Sequence, residues 1–174
     1  YCFNLCSELS SISFTNMNTT KIGTRAFSGC NNIKTIDINS STKIEIGLSC
    51  FSELTNLEKI TLSSEEINIL DNCFNNCAKL TTISIEQSKN TKFKSNAFSD
   101  CQQLKNILID SSSTIETIIT VSAKAKSLHD ITLKSEKIKS MNIVSIIAKS
   151  FHRFHSTKLK KPVSAVMHFQ DAIN

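Results

Sequence analysis

Phenylalanine recurs at a nearly constant step along this chain, at Phe3, Phe27, Phe51, Phe74 and Phe98, with spacings of 24, 24, 23 and 24 residues. Its neighbours keep the same step. A small residue precedes each one (Cys2, Ala26, Cys50, Cys73, Ala97), and three residues later come Cys6, Cys30, Leu54, Cys77 and Cys101. Leu9, Ile33, Leu57, Leu80 and Leu104 follow at six, and Ile12, Ile36, Ile60, Ile83 and Ile107 at nine. Phe14, Ile38, Leu62, Ile85 and Ile109 follow at eleven. A fixed period of this size marks an array of small units, none of which can bury its apolar face alone. A weaker sixth row keeps Leu128, Ile131 and Leu133 but has Ser122 and Ala125 where the Phe and Cys would stand.

Within each row two periodicities follow one another. The small residue, the Cys and the Leu lie at i, i+4 and i+7, which predicts a short helix with one inward face. The Leu-x-x-Ile-x-Ile stretch then alternates, which predicts a short strand. Ile44/Ile46 and Ile67/Ile69 alternate too, so a second short strand or extended turn is expected before the next row, with Ile22 and Phe93 as further rungs. The expected fold is α/β: a leucine-rich repeat solenoid of short parallel strands and short helices, about 24 residues per repeat. Residues 1–133 would form the array and 134–174 a basic helical cap and tail. Because the chain opens on Tyr1-Cys2-Phe3, inside a row, it is expected to be truncated at the N-terminus of that array.

The stretch Lys21-Ile22-Gly23-Thr24-Arg25-Ala26-Phe27-Ser28-Gly29-Cys30-Asn31-Asn32-Ile33-Lys34-Thr35-Ile36-Asp37-Ile38 resembles the repeat of the BspA-like surface-antigen leucine-rich repeat proteins. The family pattern is I-G-x-x-A-F-x-x-C-x-x-L-x-x-I-x-I, and the resemblance covers residues 1–133. One departure stands out: where the family often has Pro directly after the strand, this chain has Thr15, Asn39, Ser63, Glu86 and Asp110. The resemblance implies a non-catalytic adhesion or protein-interaction module and a place on the cell surface.

The residues themselves show no enzyme. Only Gly23, Gly29 and Gly47 are glycines, and they make neither a dinucleotide fingerprint nor a phosphate loop. No G-x-S-x-G elbow occurs, and Glu65-Glu66 reads as a solvated turn. Trp is absent and Tyr occurs once, which removes the aromatic platforms that commonly anchor ligands. No apolar run reaches the roughly 18 residues of a membrane helix. All seven cysteines fall in two ladder columns, where they alternate with Ala26, Ala97 and Leu54. Packing therefore outweighs a metal site built from Cys73, Cys77 and Cys101, since a thiol behaves as a small hydrophobe. His152 and His155 are spaced to share a metal on a helix, but no further ligand lies near them in sequence. No cofactor or metal is expected.

Two regions carry the binding expectations. One is the outward strand face, with columns Ser11, Thr35, Lys59, Thr82, Asn106, Asp130 and Ser13, Asp37, Thr61, Ser84, Leu108, Thr132. It reads equally as a solvated sheet and as a broad surface for a protein ligand. The other is the C-terminal end. Ile143, Val144, Ile147, Phe151 and Phe154 share one side of a helix expected from Asn142 to His155, which would close the array in preference to lying on a membrane or partner. Charge concentrates there: residues 1–133 carry a net of −1 and residues 134–174 a net of +6. Lys149, Arg153, Lys158, Lys160 and Lys161 form a candidate docking patch for an acidic filament or an anionic membrane surface. Nucleic acid is the weaker partner class, because no recognition motif accompanies the charge. The competing reading is an intracellular scaffold or cytoskeleton-associated protein that docks through this end.

Overall fold

The computed structural model describes residues 2–117, 130–134, 137–141 and 153–157. Its strands are β1 (Ser11–Ile22), β2 (Thr35–Ile46), β3 (Lys59–Ser63), β4 (Glu66–Ile69), β5 (Thr82–Phe93), β6 (Asn106–Thr117), β7 (Asp130–Lys134), β8 (Lys137–Met141) and β9 (Arg153–Thr157). Every pairing is parallel, and the path β1-β2-β3-β5-β6-β7-β9 is joined by β4 between β2 and β5 and by β8 on β6. The chain thus winds as a parallel β-solenoid, each coil resting on the next. β-branched Ile at alternate positions suits a pleated strand with one buried face. Ile36 pairs with Ile60, Ile60 with Ile83 and Ile83 with Ile107, so the columns read from the sequence stand one above another.

Each coil has two extended runs. Thr35–Asn39 pairs with β3, and Lys43–Ile46 of the same strand pairs with β4, so β2 bends between them. The second strand expected around Ile44/Ile46 and Ile67/Ile69 is therefore present. The single 23-residue step is absorbed at this bend, since Leu62 to Ile67 spans five residues where Ile38 to Ile44 spans six. At Gly47 the backbone of the preceding coil passes close by. A Cβ placed on Gly47 would lie 2.7 Å from the backbone of both Gly23 and Thr24.

The core runs along the axis. Phe3, Phe27, Phe51, Phe74 and Phe98 form a continuous stack, with ring centroids 5.0 to 5.6 Å apart and interplanar angles of 4 to 16°. Phe51, Phe74 and Phe98 are fully buried, together with Ile33, Leu57, Leu80 and Leu104.

The short helices expected around the Phe residues are absent from the described residues. In their place each coil has a chain of turns. The N–H groups of Ala26, Ser28 and Cys30 donate to the carbonyls of Gly23, Arg25 and Phe27, at 3.3, 3.4 and 3.3 Å. The intervening N–H groups of Arg25, Phe27 and Gly29 donate across to Leu48, Cys50 and Ser52 of the next coil, at 3.0, 3.0 and 2.9 Å. A helix cannot make this second set, because its N–H groups are directed along its own axis. Two left-handed residues per coil produce the pattern: Arg25 and Gly29, Ser49 and Glu53, Asn72 and Asn76, Asn96 and Asp100.

The expected C-terminal helix is corrected in part. Arg153, Phe154 and His155 lie in β9, where Phe154 pairs with Ile131 and His155 with Thr132. They continue the parallel ladder one further step, which a helix through His155 would not allow. Residues 142–152 of that expectation lie outside the described residues.

Candidate functional site

The first run of each coil lines up the residues singled out in the sequence. Ser11, Thr35, Lys59, Thr82, Asn106 and Asp130 form one column, in continuous register from β1 to β7. Ser13, Asp37, Thr61, Ser84, Leu108 and Thr132 form the next. Neighbours within a column sit about 4.8 Å apart, and the two columns about 6.8 Å apart along the strand. Thr35, Asp37, Lys59 and Asn106 are exposed, whereas Thr61, Thr82, Leu108 and Asp130 are half-buried. Ser84 departs from the expectation of an outward residue: it is only 7% exposed, and its hydroxyl donates to Glu86 Oε1 at 2.9 Å. Its chemistry is already engaged by the protein.

The second runs form a different surface. Lys21 and Lys43 both bind the Glu45 carboxylate, at 3.0 and 3.4 Å, and hold that carboxyl below its ordinary pKa. Beside them a groove of about 360 Å³ is lined by Lys43, Glu66, Asn68, Asn90, Lys92 and Thr114. The Lys21–Glu45 pair joins two coils on this face, while Asn68 Oδ1, buried in the groove, has no hydrogen-bond partner. Thr35, Asp37, Lys59, Thr61 and Asn106 of the first-run face make no side-chain hydrogen bond or ion pair among the described residues.

Five of the seven cysteines pack as their columns predicted, while Cys2 is exposed and Cys6 half-buried. Cys30, Cys50, Cys73, Cys77 and Cys101 are buried and unpaired by disulfides. Burial pushes the Cys50 thiol up to about 12 and the Cys73 and Cys77 thiols well above their ordinary value, so all three stay protonated. The Cys77 and Cys101 thiols also donate to the Phe51 and Phe74 carbonyls, at 3.3 and 3.2 Å. Among the described residues no group of three or more His, Cys, Asp or Glu is placed to hold a metal ion. Of the basic patch, Arg153 lies on β9, while Lys149, Lys158, Lys160 and Lys161 lie outside the described residues.

Sequence reasoning missed a buried polar column at the bend: Ser40, Ser64, Ser88 and Ser111. Ser40 meets Thr20, Ser88 meets Thr91 at 2.8 Å, and Ser111 donates to the Lys89 carbonyl at 2.9 Å. Ser64 has no hydrogen-bond partner, since the positions where its neighbours find Thr20 and Thr91 are Ile44 and Ile67 around it. The signal was present in the serines' own spacing of 24, 24 and 23 residues.

This architecture has a counterpart among protein families. The family model described as the BspA type leucine rich repeat region, in six copies, matches residues 1–119 and 41–158. The chain belongs to the BspA-type leucine-rich repeat family. No curated protein and no solved structure matches it. The BspA-type match confirms the resemblance carried by the Ile-Gly-x-x-Ala-Phe-x-x-Cys pattern, and it extends past β9. Repeats of this type generally serve protein interaction.

Proposed function

We propose that this BspA-type chain is a non-catalytic adhesion module that holds a protein ligand along its first-run face. One observation carries the reading: two columns of small polar side chains run in unbroken register across consecutive coils, with most of their hydrogen-bonding groups unused by the protein. Such a surface has little apolar area for a deep anchor. It gains affinity by repeating modest contacts over a long rigid span, which suits an extended partner surface better than a small molecule. Leu108 supplies the apolar contact among them. A surface-antigen setting accords with the family, and adhesion is the form of protein binding that a long repetitive face serves.

The test compares two surfaces of one fold. Soluble protein carrying Thr61→Arg and Asn106→Arg on the first-run face is set beside protein carrying Asn90→Arg on the second-run face, in binding to intact cells and to purified extracellular matrix proteins. Loss of binding only in the first pair, at unchanged melting temperature, is the expected result. Equal binding by all variants would remove the first-run face from the function.

A further inference from the structure

The thiols of this solenoid are stacked as well as buried. Cys6 lies one coil below Cys30, Cys50 one coil below Cys73, and Cys77 one coil below Cys101, each pair within a single column. In the last pair both thiols are fully buried. Phe74 N–H donates to the Ala97 carbonyl and Asn76 N–H to the Ser99 carbonyl, both at 2.8 Å. These turn-to-turn bonds set residue 74 beside 98 and residue 76 beside 100, and the Phe74 and Phe98 rings stack at 5.5 Å, so Cys77 lies beside Cys101 in the next coil. Coils hydrogen-bonded to one another at the spacing of this sheet hold in-register Cα atoms about 4.8 Å apart, inside the 4.4–6.8 Å range of disulfides. The two thiols point the same way, each donating to a carbonyl of the coil before its own, Cys77 to Phe51 and Cys101 to Phe74.

We propose that Cys77 and Cys101 form a thiol–disulfide site that staples two consecutive coils, with glutathione disulfide or an equivalent small disulfide as the oxidant. In the reaction the Cys77 thiolate attacks the oxidant, forms a mixed disulfide and releases one glutathione. The Cys101 thiolate then attacks the Cys77 sulfur, the Cys77–Cys101 bond forms and the second glutathione leaves. Two electrons pass to glutathione disulfide, and the two protons lost by the cysteines end on the two glutathione thiols. The bond draws the Cβ atoms to about 3.8 Å, a local closing of the stack.

Burial decides when this happens. Both residues are fully covered, and desolvation keeps the Cys77 thiol protonated, so the closed array offers almost no thiolate to an oxidant. Repeat arrays open locally, coil from coil, and the pair is reactive in that open form or during folding. Once made, the crosslink encloses one full coil, including β5 and its face residue Thr82. It therefore restrains the opening that exposed it.

The experiment equilibrates the full chain with reduced and oxidised glutathione in enough urea to open single coils, dilutes it back, blocks free thiols and maps the peptides. The expected product is a linked peptide pair containing Cys77 and Cys101, absent from Cys77→Ser and Cys101→Ser protein. Oxidised wild type should also melt at a higher temperature than reduced wild type. Recovery of Cys77 as a free or glutathione-capped thiol, or joined to Cys73, would overturn the proposal. The linked peptide is read on wild type, so the outcome does not depend on either variant folding.

Discussion

Cys77 and Cys101 do more than fill space, because their thiols bind carbonyls that the turns leave inside the core. No other donor reaches the Phe51 or Phe74 carbonyl among the described residues, whereas the Phe27 carbonyl, one coil before Leu54, is taken by the Cys30 N–H at 3.3 Å. A buried acceptor stripped of its donor costs about 1–3 kcal/mol. Cys77→Ala should therefore lose at least that much in urea unfolding, while Cys77→Ser, which keeps a donor of similar reach, should lose less. Equal losses would assign the residue to packing alone. Ser64 shows the converse, a buried hydroxyl without a partner where Ile44 and Ile67 surround it.

At the scale of the element, the turn segment is decided by backbone handedness. Asn72 has φ 55° and Asn76 φ 59°, and their counterparts include Gly29, Asn96 and Asp100, the residue types that tolerate this region best. Left-handed conformation at a β-branched residue costs on the order of 1–3 kcal/mol. Asn72→Val should destabilise the protein by about that amount in thermal or urea unfolding, and Asn72→Gly should be nearly neutral. Similar stability for both would mean that the turn relaxes into a different form. The helical reading failed here for an identifiable reason. Inward residues at i, i+4 and i+7 fit a helix, but they also fit a turn chain that buries two consecutive residues and then a third, as at Cys73, Phe74 and Cys77. Only the recurrence of Asn, Asp and Gly in the two left-handed columns distinguishes them, and Arg25, Ser49 and Glu53 dilute that signal.

For the whole molecule, charge is unequal along the chain, and the repeat match reaches residue 158, well into the basic stretch. Residues 134–174 carry a net of +6 where residues 1–133 carry −1, and we propose that this excess serves a second contact with an acidic filament or anionic membrane surface. Exposed charges are screened beyond about 8 Å at physiological salt. If Lys158, Lys160 and Lys161 make that contact, replacing all three by Ser should weaken association with anionic vesicles or acidic filaments and flatten its salt dependence, with melting temperature unchanged. Salt-independent association would remove this end from the function. The first-run face should respond little to salt, because its columns are mostly uncharged.

The sequence by itself determined the period, the parallel stacking and the identity of the core. A 24-residue unit with an Ile ladder and one Phe per row can bury its apolar side only against copies of itself, and that requirement alone places Ile36 on Ile60 and Phe51 on Phe74. The columns of the candidate face, from Thr35 to Asp130, follow from the same register. Tertiary structure alone decided what the backbone does between strands. Whether the N–H of Phe27 bonds along its own segment or across to Cys50 depends on the neighbouring coil being within reach, which local spacing does not encode. It also decided that Ser84 is covered and held by Glu86, that Ser64 lacks a partner, and that Phe154 extends the sheet. Each depends on the coils above and below, so a single row read alone could not contain it.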